Sequence, residues 1–305
     1  MASSLPAFPQ SVLVVETDPT DLEPWRAAAG RASDYNWTSL ASWAPSSRLS
    51  YLDGGLVVEF PDYHDPSERS YGFIGGFAPE HVAVTVLDYA NAHGLPEELR
   101  LVPEEVVGRL ADFDCVEDRD NFDYLYDVSE MVSLAGRRHR TNRLRRNRFL
   151  RTETVSREFC DDGGTADWEK LECFTRLWAE RHSEQGQAAL ELSALRSCRS
   201  ALGRVPHAHR QILVTSVEVG GDLVAFDVSE VIPGGLSIQH FSHTAQHVIG
   251  VREHLRTVVG ERLLSQGVHM LNTEQDLGVP GLRTRKMNDA PACLAKKYVL
   301  RRVLK

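Results

Sequence analysis

Between residues 211 and 243 the sequence runs QILVTSVEV, Gly220-Gly221, DLVAFDVSEVI, Pro233-Gly234-Gly235, LSIQHFSH. Three stretches rich in Val, Ile and Phe are parted by two short glycine turns. Glycine supplies the positive φ that a tight hairpin needs, so the spacing predicts an antiparallel meander. Its flanks narrow the choice further. ADWEKLECFTRLWAERHSEQG (166–186) carries Trp168, Leu171, Phe174, Leu177 and Trp178 at intervals of three and four, one apolar face of a helix. A second helical stretch runs to Leu202. After the meander, a helix is expected from Gly250 to Ser265 and a strand over VHMLNT (268–273). Helix, helix, three antiparallel strands, helix and strand make an α+β (mixed α/β) plan.

The N-terminal half carries a shorter version. SVLVVETD (11–18) reads as a strand, and Asp18-Pro19 signals the start of a helix. Two short strands flank Asp53-Gly54-Gly55, YGFIGGF adds another, and a helix from Pro79 ends at Gly94. The expectation is therefore two related lobes: 1–118, a connecting segment 119–151, and 152–305. A chain of 305 residues can build two such cores. An apolar run of 18 residues and a basic-then-apolar leader are both missing, so stable membrane insertion is not expected. Five scattered cysteines without a C-x-x-C pair suit reduced thiols in a cytoplasmic setting and neither a disulfide framework nor a zinc site.

The formal charge of −9, from 34 Lys plus Arg against 43 Asp plus Glu, argues on its own against a polyanionic partner. Its distribution argues otherwise. Residues 137–151, RRHRTNRLRRNRFLR, hold eight arginines (Arg137, Arg138, Arg140, Arg143, Arg145, Arg146, Arg148 and Arg151) and no acid; the other 26 cations face all 43 carboxylates, a net of −17. Wound as a helix, six of the eight fall on an arc of about 160°. Forked guanidinium contacts along such an arc track phosphates. A solvated face, or arginines pairing with the acidic remainder, is the alternative. Phe149 is the one aromatic residue in the stretch, which favours backbone phosphates over stacked bases.

Residues 272–286, NTEQDLGVPGLRTRK, follow the 268–273 strand. They are read as a loop placing Glu274 and Asp276 at a strand end, with Arg283, Arg285 and Lys286 close behind. Such a set can bind an ammonium on one side and an oxyanion on the other. Asn272 at the strand end and the cations Arg283 and Lys286 are assigned to substrate binding. In HFSHTAQH (240–247) the histidines lack a fourth metal ligand, so no metal is expected, and His240 is read as a proton acceptor.

Four segments together resemble one family. They are SDYNWTSLASW (33–43), DNFDYLYDVSEMVSLAGRRHRTNRLRRNRF (120–149), the region of the Gly250 helix, and LNTEQDLGVPGLRTRKMNDAP (271–291). The resemblance is to the C-terminal-domain-like proteins of phosphatidylglycerol lysyltransferases, and it spans nearly the whole chain. It implies tandem GNAT lobes with the active site in the C-terminal one. It also implies transfer of an aminoacyl group from aminoacyl-tRNA, the co-substrate in place of any cofactor, to an amine or hydroxyl. The basic helix would lie against the tRNA acceptor stem. His240, Glu274 and Asp276 would be catalytic, with Arg283 and Lys286 inheriting a site role. Ser242 and His243 replace a Glu-Lys pair of the family. The membrane domain of lipid-modifying members is absent from this sequence, which points to a soluble small-molecule amine as acceptor, in natural-product biosynthesis.

Rival readings are an acyl-CoA-dependent N-acyltransferase, aminoacyl transfer to a phospholipid, and a non-catalytic RNA-binding protein. Acyl-CoA transferases of this fold seat pyrophosphate on an R/Q-x-x-G-x-G/A turn. Here the matching text, from His247 to Arg252, keeps one glycine and puts Arg252 where a small residue belongs, which speaks against coenzyme A.

Overall fold

The computed structural model describes residues 4–61, 68–153, 155–161, 166–180, 185–206, 209 and 211–303. The chain divides into two compact units: Met1–Asp123 with Gln275–Gly278 and Ala295–Lys305, and Tyr124–Glu274 with Val279–Leu294.

In the first unit β1 (Val12–Leu13) pairs with β2 (Arg48–Leu52), and α1 (Trp37–Trp43) lies between them in sequence. β2, β3 (Gly55–Pro61) and β4 (Arg69–Gly75) form an antiparallel meander. Asp53 and Gly54 make its first turn, both at positive φ (46° and 82°), the two-residue geometry whose twist suits a hairpin. α2 (Pro79–Ala92) then carries the chain to β5 (Leu99–Pro103), parallel to β4, and α3 (Glu104–Val107) leads to β6 (Phe113–Glu117). The strand expected over 11–18 stops at Leu13. Both the backbone N–H and the hydroxyl of Thr17 return to the Val14 carbonyl and close a 3-10 turn, and Asp18 caps the next one.

The second unit repeats the plan. β7 (Asp123–Asp127), α4 (Val128–Ser133), α5 (Arg140–Thr152) and β8 (Val155–Asp161) lead to α6 (Trp168–Glu180) and α7 (Gln185–Arg204). The predicted meander follows as β9 (Ile212–Val219), β10 (Asp222–Ile232) and β11 (Leu236–Thr244). α8 (Val251–Ser265) crosses to β12 (Met270–Asn272), parallel to β11. Val251, Leu255, Val259 and Leu263, at four-residue spacing, form the buried stripe of α8 against Tyr124, Tyr126, Val217, Ala225 and Leu271. Each such side chain is worth about 2 kcal/mol when withdrawn from water. α9 (Pro280–Asn288), β13 (Cys293–Ala295) and β14 (Lys297–Arg302) end the chain.

Among the described residues each sheet has seven strands, in the orders β1-β2-β3-β4-β5-β14-β6 and β13-β7-β12-β11-β10-β9-β8. Each therefore shows a meander, a helical crossover and a parallel neighbour, and then a strand from the other half of the sequence. β7 flanks β12, and β14 flanks β5. This exchange explains why the units depart from the expected boundaries at 118 and 151. Residues 124–151 belong with the second unit, and the last strand belongs with the first. In the stretch 272–286 expected as a loop, residues 280–286 belong to helix α9, opened by Pro280 at its first position.

Candidate active site

His240 sits at a break in the ladder of the second sheet. The β10–β11 register passes from Val228↔Phe241 to Ser229↔Gln239, leaving His240 as the extra residue of a bulge. Bulges re-aim side chains at the cost of one ladder pair. Here the imidazole, fully buried, lies between two carboxylates: Nδ1 is 3.3 Å from Glu274 Oε1 and Nε2 is 3.2 Å from Glu230 Oε2. Burial alone would lower its pKa. The hydrogen bonds to Glu230 and Glu274, and their charges, override this and push it up to about 9. A histidine with its pKa raised in this way carries charge at neutral pH and can donate from both nitrogens, which suits it to holding the two carboxylates.

Glu274 is held by its backbone. It has φ of 59°, its N–H donates to Asn272 Oδ1 at 2.7 Å, and its carbonyl accepts from the Tyr124 N–H at 3.2 Å and from Lys286 Nζ at 3.0 Å. Lys286 Nζ also donates to the Thr273 carbonyl at 2.5 Å and lies 5.4 Å from the centre of the Tyr124 ring, while Tyr126 Oη donates to the Lys286 carbonyl at 2.7 Å. Asn272 and Lys286 are both buried. They shape the turn that presents Glu274, a different task from the substrate contacts expected of them. Arg283 sits near the start of α9, partly exposed.

β12 stops at Asn272 opposite Ile238, whereas β11 continues to Thr244. The chain turns aside through Glu274, and β11 runs on past the end of its parallel neighbour. Glu230 went unnoticed in the sequence. Its signal was a carboxylate inside the apolar run VAFDVSEVI, as was Asp227, whose pKa burial raises to about 6 against hydrogen bonds from Ser229, Gln239 and Ser242.

Asp276 falls in the first unit. It is fully buried, 3.2 Å from Arg119 and accepting the Gly278 N–H at 2.9 Å. Its neighbour Gln275 donates to Asp34 Oδ1 at 2.7 Å, and Asp34 with Asp123 encloses the fully buried Lys297. The motif residues Asp34, Gln275 and Asp276 thus hold the first unit together, whereas His240 and Glu274 belong to the second.

The basic segment divides by role. Helix α5 begins at Arg140, so Arg137 and Arg138 precede it. Arg143 donates to the Leu134 and Gly136 carbonyls and Arg146 to the Val132 carbonyl, closing the C-terminal end of α4. Arg138 pairs with Glu130, and Arg145 with Glu253 at 3.5 Å. Arg137, Arg140, Arg148 and Arg151 are exposed, and among the described residues no carboxylate pairs with them. Arg140, Arg151 and Arg148 share one side of α5, an arc of about 80°.

The inner side of the same helix covers the start of α8. At Gly250 (φ 88°) a β-carbon would lie 2.1 Å from the Arg145 carbonyl oxygen and 3.1 Å from Phe149 Cβ. Glu253 occupies the first turn of α8, where a carboxylate opposes a second anion. The seat that the fold offers a coenzyme A pyrophosphate is filled by protein, and these residues do not fit that group.

The family pattern described as "Phosphatidylglycerol lysyltransferase, C-terminal" matches residues 25–301. The chain belongs to this family. Membership places it among aminoacyltransferases. A conserved protein of unknown function from Bacteroides thetaiotaomicron superposes with a TM-score of 0.76 at 19% identity, over 96% of this chain and 99% of that one. The L-PGS of Bacillus licheniformis follows at 0.63 and 16% identity, over 93% and 92%. A tandem GNAT protein from the clavulanic acid biosynthesis pathway gives 0.51 at 10% identity, over 95% and 96%. The fold is thus a tandem GNAT-like one. No curated protein matches the sequence. Among the described residues no helix is long and apolar enough to cross a membrane.

Proposed function

We propose that this family member transfers an aminoacyl group from aminoacyl-tRNA to the amine (or hydroxyl) of a soluble small molecule of natural-product type. One observation carries the reading: helix α5 fills the coenzyme A seat with its backbone at Arg145 and turns Arg140, Arg148 and Arg151 outward. An aminoacyl ester is already activated, so the enzyme must hold it, take a proton from the attacking amine, stabilise the tetrahedral oxyanion and let the C–O bond to the tRNA break with that proton passing to the departing ribose oxygen. Glu274 is the partly exposed carboxylate at the strand end, and in this reading it holds the substrate ammonium and receives the proton. His240 touches no substrate. It is a positioning residue that donates to both carboxylates and holds the Glu274 side chain in place. The β11 backbone beyond Ile238 would offer N–H groups to the oxyanion.

The test is to incubate the protein with labelled aminoacyl-tRNAs and candidate amines. Label should move from one or a few tRNAs into a small product, and no loss of label from any of them overturns the proposal. The family description favours a second reading, a phospholipid acceptor. Label recovered in phosphatidylglycerol vesicles would select it.

A further inference from the structure

Helices α8 and α9 face each other with an unbalanced set of charges. Arg252 and Arg256, one turn apart on α8, both reach Asp289 at the end of α9; Arg256 Nη1 is 3.6 Å from it, and Arg252 forms a closer ion pair. The Asp289 N–H bonds the Arg285 carbonyl, so Arg285 lies one turn before Asp289 on the same face of α9. Asp289 is shared by two guanidiniums, Arg252 also meets Glu253, and Arg285 has no carboxylate within ion-pair distance among the described residues. Arg285 is an exposed residue of α9. Desolvation, then the charge of Arg252, holds its pKa below the ordinary arginine value, although it stays charged at neutral pH.

The surroundings limit what could enter. Arg256 lies 4.6 Å from the centre of the Tyr126 ring, and Arg252 also approaches Glu253 at 3.6 Å. Glu191 acts on Arg285 from a distance and is engaged with His243 at 3.5 Å. Asp227 feels the charge of Arg256 and is held by Ser229 and Gln239. The carboxylates are therefore occupied, and the solvent-reaching group is a guanidinium backed by two more.

We infer that Arg285, with Arg252 and Arg256 behind it, forms an oxyanion subsite for a phosphate or phosphodiester group. A planar guanidinium fork with other cations close by is matched to tetrahedral oxyanions. The site deepens the proposed function, since a phosphodiester near the 3′ end of an aminoacyl-tRNA is one source of such a group. An anionic acceptor is the other. Arg285 adjoins Lys286, which tethers the Glu274 turn, so an anion held here is tied to the reacting centre through a single helix.

The subsite is tested by following arginine Nε–Hε NMR signals of the full chain during titration with inorganic phosphate. The Arg285 signal, assigned from R285Q, should shift and saturate, while that of the exposed Arg262 on the far end of α8 stays still. R285Q should bind phosphate at that site about tenfold more weakly. An unmoved Arg285 signal overturns the subsite. A trinucleotide ending in CCA supplies the second arm. Competition with phosphate at Arg285 assigns the site to tRNA. A phosphate-dependent shift without competition keeps the subsite, gives it to the acceptor and counts against tRNA docking there. The subsite and the proposed reaction can thus fail separately.

Discussion

The α-carbon of Gly250 lies so close to the Arg145 carbonyl that a β-carbon would stand 2.1 Å from its oxygen. Backbone meets backbone there, and neither can swing aside. Gly250 also has φ of 88°, which side chains avoid. Gly250→Ala should therefore cost about 3 kcal/mol or more, the sum of strain and a forced separation of α5 from α8. Urea denaturation measures this, and wild-type stability in the variant would refute the contact.

The same contact predicts that acetyl-CoA fails to bind. Titration calorimetry on the wild-type protein should show no saturable heat at concentrations that fill ordinary GNAT sites. Saturable binding would return the acyl-CoA reading to the lead.

His240 should titrate near pH 9, as read from its ring-proton shift. Its folded pKa stands above the ordinary 6.5, so the stability it contributes is fully present below about pH 6.5 and is lost as pH rises through about 9. Glu230→Gln removes one of the two charges facing the ring. The His240 pKa should fall, the stability lost on raising the pH should be smaller and its loss complete at a lower pH, and kcat for transfer should drop about tenfold with a smaller change in KM. An unchanged titration in Glu230→Gln would remove the clamp from the argument.

The arginines of α5 should separate in experiment as they do in structure. Reversal of Arg140, Arg148 and Arg151 to Glu should weaken tRNA binding and flatten its salt dependence by about two to three units of slope. Arg143→Ala and Arg146→Ala should instead lower the melting temperature through the lost carbonyl contacts at the end of α4, with the slope kept. Equal salt slopes in the triple variant and the wild type would sink the interface.

Hydrophobic period and glycine turns made much of this architecture legible. The meander at 211–244 and the crossover helix α8 follow from residues that are local in sequence. What escaped was non-local. Nothing in DYLYD or KYVLRR announces that each strand will pair with the other half of the chain, because pairing partners are chosen by sheet edges that form far away. The bulge at His240 was equally hidden. Its neighbours alternate as in any strand, and only the register against β10 shows the extra residue. The pair Glu274 and Asp276, two residues apart, looked like one site. The positive φ at Glu274 (59°) and Leu277 (52°) turns the backbone, so the two carboxylates serve different units. Spacing assigns Lys286 to substrate binding, but spacing reports charge and not the burial that the structure gives it.

Lys297 gives the clearest case of a charge whose purpose is internal. It is fully buried between Asp34 and Asp123, 2.6 Å from the latter, and Asp123 also accepts the Ser33 N–H at 2.7 Å. Desolvation raises the pKa of Asp34 to about 6 even with the lysine present. A carboxyl raised in the folded state binds its proton more tightly there than when unfolded. Stability from this group is thus greatest at low pH and declines as pH rises from about 4 to about 6. Lys297→Met leaves two buried carboxylates without a cation, so it should cost about 3–5 kcal/mol at pH 7. At pH 5, where protonation relieves the repulsion, the cost should be smaller. Melting curves of both proteins at the two pH values test this: a penalty that is the same at pH 5 and pH 7 would mean that the lysine serves packing and not charge.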